Sequence, residues 1–181
     1  MLRKTFRFRR VERRTDRDVK PVRGCILRCD LGVVLDHTGV YIGRGRIVSL
    51  NRHGQVRIET PVSFFPPGTD PLKNRIYTAC LKGTDTVLAS SAAAARAKKK
   101  NNAKTEYNVL FNNCHRFTCG CVTGNFENDV MSFAMLEDTL NKNIRSLVPK
   151  RPWWSRFIDF VLRRERPEPV LRYEWRPVVF K

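Results

Sequence analysis

Between residues 25 and 81 the chain alternates apolar and polar positions in short runs, each bounded by turn-forming residues. The runs at 25–29, 33–42, 46–50, 56–58 and 75–81 predict five strands. Gly43-Arg44-Gly45 and Arg52-His53-Gly54-Gln55 read as turns, and the stretch from Phe65 through Pro66, Pro67 and Gly68 to Pro71 reads as a loop. From residue 84 the period becomes helical. Thr84-Asp85 predicts the start of a helix that runs through the alanine-rich stretch to about Lys100 and ends at Asn101-Asn102. A second helix is predicted from Asn113 or Cys114 to near Gly124. A third spans about 128–144, with Val130, Phe133, Leu136 and Leu140 on one face, and a last one spans about 153–164, beyond Pro149 and Pro152. Strands grouped first and helices second predict an α+β domain, a small antiparallel sheet packed on helices. No internal repeat interrupts it.

Charge changes this picture at both ends. The formal net charge is +18 over 181 residues, a field that attracts nucleic acid or anionic lipid without distinguishing them. Residues 1–23 carry ten Lys or Arg against Glu12, Asp16 and Asp18, and the stretch from Pro149 is basic again and rich in aromatics. The expected organisation is a basic arm at 1–20, a folded domain at 21–148 and a basic aromatic extension at 149–181. No apolar run approaches the roughly 20 residues that span a bilayer, and the basic start lacks the apolar centre of a secretory signal. The expected location is the cytoplasm, with a peripheral place on a membrane surface; export by another route is the alternative. The six cysteines lack common zinc spacing, so reduced thiols, no metal and no cofactor are expected.

Two segments carry candidate chemistry. In Asp36-His37-Thr38-Gly39-Val40-Tyr41-Ile42-Gly43, strand alternation places His37, Gly39 and Tyr41 on one face and Thr38, Val40 and Ile42 on the other. A histidine beside a glycine has room for a substrate or a partner side chain, and a rigid strand suits a general base; a satisfied structural histidine is the alternative. The second segment runs from Tyr107 to Phe117 and contains Asn112-Asn113-Cys114-His115-Arg116. The Asn pair is N-cap chemistry. Cys114 then sits in a first helical turn, where free amides and the helix dipole favour a thiolate and can receive an oxyanion. The alternative is a cysteine buried as a small hydrophobe.

Together the two segments resemble the lecithin retinol acyltransferase family, a branch of the circularly permuted papain-like (NlpC-type) superfamily. The resemblance lies in the family's H-x-[AG]-[IV]-Y-[IV]-G strand, here His37 to Gly43, and its Y-x-L-x-x-N-N-C-x-x-F helix start, here Tyr107 to Phe117. It covers about residues 21–145. It implies a permuted papain-like domain and a thiol acyltransferase or hydrolase of the phospholipase A or N-acyltransferase type. Cys114 would be the nucleophile, His37 the base, and an acyl lipid held as a thioester the substrate. Amide or peptide cleavage is the alternative within the superfamily. The family places a second histidine about a dozen residues after the first; Ser49 stands there, so Ser49, or Asn51 on the same face, would orient the imidazole. The family's Glu-His after the cysteine is His115-Arg116 here. His115 points about 100° away from Cys114 along a helix and reads as a wall or surface residue, not the base. Tyr41 and Asn113 are further candidates for contacts with substrate or oxyanion, and His53 reads as exposed in its turn.

The segment Trp153-Trp154-Ser155-Arg156-Phe157-Ile158-Asp159-Phe160-Val161-Leu162 is amphipathic as a helix. Trp153, Trp154 and Phe157 predict contact with a membrane interface, an anionic surface being the partner that the charge suggests. Docking of the same stripe on the protein's own core is the alternative. Two readings outside enzymology remain open: a nucleic-acid binder working through its basic tails, and an inactive interaction module that kept the fold.

Overall fold

The computed structural model describes residues 17–30, 36–104, 113–150, 152–163 and 171–180. Most of the basic arm, the start of the predicted second strand and the segment from Tyr107 to Asn112 lie outside the described residues. The strands are β1 (Ile26–Asp30), β2 (Asp36–Gly43), β3 (Arg46–Leu50), β4 (Val56–Glu59), β5 (Ile76–Leu81) and β6 (Tyr173–Pro177). The helices are α1 (Ser91–Lys99), α2 (Cys114–Thr123), α3 (Phe133–Leu147) and α4 (Trp153–Val161). The strands form one antiparallel sheet in the order β4-β3-β2-β1-β5-β6. The chain is α+β, as the grouping of its patterns predicts.

Alternation along each strand divides the core into two layers. Ile26, Val40, Ile42, Val48, Leu50, Ala79 and Leu81 face α1, α2 and α3, against Ala93, Ala97, Phe117, Cys121, Leu140 and Ile144. Cys25, Leu27, Cys29, Ile47 and Cys80 face the other way and are covered by Phe64, Ile76 and Val87. The β2–β3 hairpin turns at Gly43, Arg44 and Gly45, all at positive φ, the two glycines meeting that requirement at no steric cost.

Three element boundaries differ from expectation. The helix predicted from Thr84 begins at Ser91, capped by Ser90. The intervening residues are held as extended chain, because Thr84 Oγ1 donates to the Leu81 carbonyl while Val87 and Ala89 bridge to Cys80 and Cys25. The helix predicted from about 128 begins at Phe133, after the Ser132 cap. Asn128 instead accepts the Val130 amide and donates to the Arg116 carbonyl, a local turn that competes with helix. The third difference concerns the C-terminal extension, which is no mere appendage. Its β6 pairs with β5 from Tyr77↔Pro177 to Leu81↔Tyr173.

Arg176 anchors that strand. It is fully buried. Its guanidinium donates to the Arg17 and Thr84 carbonyls and to the Asp85 carboxylate at 2.8–3.1 Å, so the buried cation is met by two carbonyls and by a carboxylate at the surface. Arg176→Met should therefore cost roughly 2–4 kcal/mol, because two carbonyls lose a charged donor. Urea unfolding that shows less than about 0.5 kcal/mol of change, the scale of an ordinary surface substitution, would contradict this account.

Candidate active site

The N-terminus of α2 is built by Asn113. Its side-chain oxygen accepts the amides of His115 and Arg116 at 3.0 and 3.1 Å, and its side-chain nitrogen donates to the Met131 carbonyl at 2.7 Å. This is the cap expected from the Asn pair. It also commits both ends of the amide, so Asn113 shapes the helix end and is not directed at a reacting carbonyl. Cys114 follows in the first turn, buried, with its Sγ 3.9 Å from the Asp36 carbonyl oxygen. The thiol thus rests against the main chain of the histidine strand, one residue before His37.

Two opposed effects act on that thiol. Burial raises its pKa, while hydrogen bonds from the Thr38 backbone and hydroxyl and from the amides of Cys114 and His115 lower it. A helix terminus contributes about 0.3–1 kcal/mol. Removing an isolated charge from water costs several kcal/mol. Burial wins, and Cys114 rests as a neutral thiol.

The His37 ring does not meet that thiol. It stacks on Phe64, with ring centroids 4.8 Å apart, and among the described residues no hydrogen bond joins it to Cys114. Alternation is the reason. His37 is the register partner of Cys29, whose thiol points to the Phe64 carbonyl, whereas the next residue, Thr38, faces α2. The room expected beside Gly39 is filled. A Cβ on Gly39 would lie 2.9 Å from Phe64 Cε2 and 2.8 Å from the Val48 carbonyl oxygen.

The other candidates are occupied elsewhere. Ser49 is opposite Gly39 in register, but its hydroxyl donates to Glu59 at 2.5 Å and not to the imidazole. Asn51 accepts the amides of His53 and Gln55 and closes the β3–β4 turn. Tyr41 accepts the Gly45 amide at 3.1 Å and meets Phe180 edge-on; four residues along a strand it lies about 13 Å from His37. Among the described residues Ser49 and Asn51 thus make their hydrogen bonds to groups other than the imidazole, and Tyr41 braces the hairpin. His53 is exposed, as expected.

Thr38 and His115 gather what those residues do not. Thr38 Oγ1 lies 3.3 Å from His115 Nδ1 and 3.2 Å from Thr118 Oγ1, in a buried contact between β2 and α2. The wall residue is thus the imidazole hydrogen-bonded to a group that also touches the thiol. A hydroxyl inside the apolar stripe Thr38, Val40, Ile42 was the available sequence signal. Beside this cluster Arg28 pairs with Asp36 at 3.4 Å and lies over the rings of Phe133, Trp175 and Tyr77. Two surface cavities, of about 310 and 370 Å³, are lined by other residues. Among the described residues no cluster of His, Cys, Asp and Glu could hold a metal ion.

Both histidines are depressed to about 4, His37 by burial and by the nearby His115, His115 by burial. The unfolded chain takes up these protons near 6.5, so between the two values it binds more protons than the folded chain. Stability then falls as pH drops through that window. Tm should decline from pH 6.5 to 4.5 more steeply for the native chain than for His37→Gln or His115→Gln. Parallel profiles in scanning calorimetry would refute the burial of neutral rings.

Compared with protein-family models, with curated proteins and with solved structures, the chain matches none, and the family resemblance rests on the two motifs themselves.

Proposed function

We propose that the chain is a cysteine-dependent acyltransferase or hydrolase of permuted papain-like type, acting on an acyl lipid through a thioester on Cys114. The observation that carries this reading is the placement of Cys114 Sγ at a capped helix N-terminus and against the backbone of the histidine strand. In the reaction, a change in the backbone of β2 at its Asp36 end has to carry the His37 ring from Phe64 to the α2 side, where it takes the proton of the sulfur as the S–C bond forms at the ester carbonyl. The Cys114 amide, which the Asn113 cap does not take, receives the oxyanion. The C–O bond to the leaving alcohol then breaks, and the alcohol carries away the proton held by His37. Water or an acceptor amine, deprotonated by the same ring, attacks the thioester and releases the acyl group, and the thiol regains its proton. With its pKa near 4, His37 is neutral at pH 7 and able to accept. The cytoplasmic face of a membrane is the location this reading implies; no helix among the described residues is long and apolar enough to cross a bilayer.

A second reading, an inactive interaction module that kept the fold, is favoured by the engagement of Ser49 with Glu59 and by the lack, among the described residues, of a hydrogen bond aligning His37. Incubation with phospholipid and intact-mass measurement separate the two. An acyl adduct that vanishes in Cys114→Ala supports the enzyme, while no adduct and no ester turnover by the native chain supports the module. Replacing His37 by Ala should lower turnover about 10²–10⁴-fold, the usual contribution of a general base. Should His115→Ala bring that loss while His37→Ala does not, the base is His115 acting through the Thr38 hydroxyl.

A further inference from the structure

The helix α4 is amphipathic with its apolar side turned to solvent. Trp153 is 77% exposed, Phe157 59% and Phe160 81%, and Trp154, Ile158, Val161 and Leu162 are exposed as well. The residues with partial cover are the polar ones. Ser155 and Asp159, four apart and so on one face, are half-buried, and each has a partner. A helix docked on its own core shows the reverse pattern. The alternative of simple docking, open from sequence, is thereby excluded for the stripe of Trp154, Phe157, Ile158 and Val161. Exposed apolar surface gathered on one short element marks an interaction site.

We propose that α4 binds flat in the interface of an anionic lipid bilayer, its rings among the acyl carbons and its flanking cations on the lipid phosphates. Length selects the mode: nine residues make a helix of about 14 Å, against roughly 30 Å of hydrocarbon to cross. Charge selects the lipid. From 150 to 166 the sequence carries Lys150, Arg151, Arg156, Arg163, Arg164 and Arg166 against Asp159 and Glu165. Tryptophan beside cations is the composition of an interfacial helix. A second copy of the chain fits less well. Two chains of +18 each repel, and one short helix pair buries less than the roughly 1,000 Å² that a stable interface needs. Nucleic acid would use the cations and could stack the rings, but gives Ile158, Val161 and Leu162 no apolar phase to enter. The inference stands apart from the thiol chemistry, since it concerns residues with no part in that site.

The full chain would be titrated with vesicles of phosphatidylcholine alone and of phosphatidylcholine with phosphatidylglycerol, with emission read in the presence of lipids brominated at shallow depth. We expect a blue shift and quenching on the anionic vesicles that salt weakens and does not abolish. Trp153→Ala/Phe157→Ala/Phe160→Ala should lower partitioning at least ten-fold while circular dichroism stays unchanged, and Trp154 remains as reporter. Equal binding to neutral vesicles overturns the choice of anionic lipid. A triple variant that binds vesicles like the native chain, or that unfolds, overturns the proposal, the latter because the rings then belong to the core. So does a native chain that ignores vesicles and, through the same three residues, dimerises in gel filtration or binds duplex nucleic acid.

Discussion

Alternation along β2, pinned by α2 on one side, is the constraint on which the rest of the molecule turns. Thr38, Val40 and Ile42 face the helix and fix its first turn. His37, Gly39 and Tyr41 therefore face the other layer, where Phe64 closes over the glycine. A one-residue slip would exchange the two sets entirely. The buried hydroxyl of Thr38 resists that slip, because it would leave His115 Nδ1 and the Thr118 hydroxyl without their shared partner in an apolar interior. The same register that holds the thiol against the backbone of the histidine strand keeps the histidine ring on the far side.

The electrostatics follow from burial more than from any single charge. With both rings held neutral and the thiol protonated, the thiol and the imidazoles form no ion pair with one another at rest. Chemistry there would have to create charge during reaction, at a helix start where Asn113 already takes the His115 and Arg116 amides. That differs from a resting thiolate–imidazolium pair.

Much of the fold was legible because its strands alternate cleanly and its hairpin turn carries Gly43 and Gly45 at positive φ. The start of α2 was legible because Asn113 is a good cap followed at once by the helical pattern. What failed did so for identifiable reasons. The capping potential of Thr84 was spent on a turn carbonyl, and Asn128 preferred its own loop. The strand β6 hid in the run from Tyr173 to Pro177, part of the basic aromatic extension, where Arg176 is buried by partners distant in the chain. At the site, spacing put Ser49 in the right place opposite Gly39 and could not say that Glu59 would claim its hydroxyl. The face of Thr38 was read correctly and its hydroxyl was undervalued.

The pairing of β6 with β5 gives the C-terminal region a different topology from a tail. In sequence α4 stands between α3, which packs on the core, and β6, which pairs with β5 and is locked by Arg176, so α4 lies between two anchored elements. A protease that cut between α4 and β6 would leave both fragments attached, one through the covalent chain and the other through strand hydrogen bonds and a buried guanidinium. Shortening the gene at residue 148 has another result. It removes the edge strand, leaves β5 with a bare row of amides and carbonyls, and hands the protein a new surface for self-association.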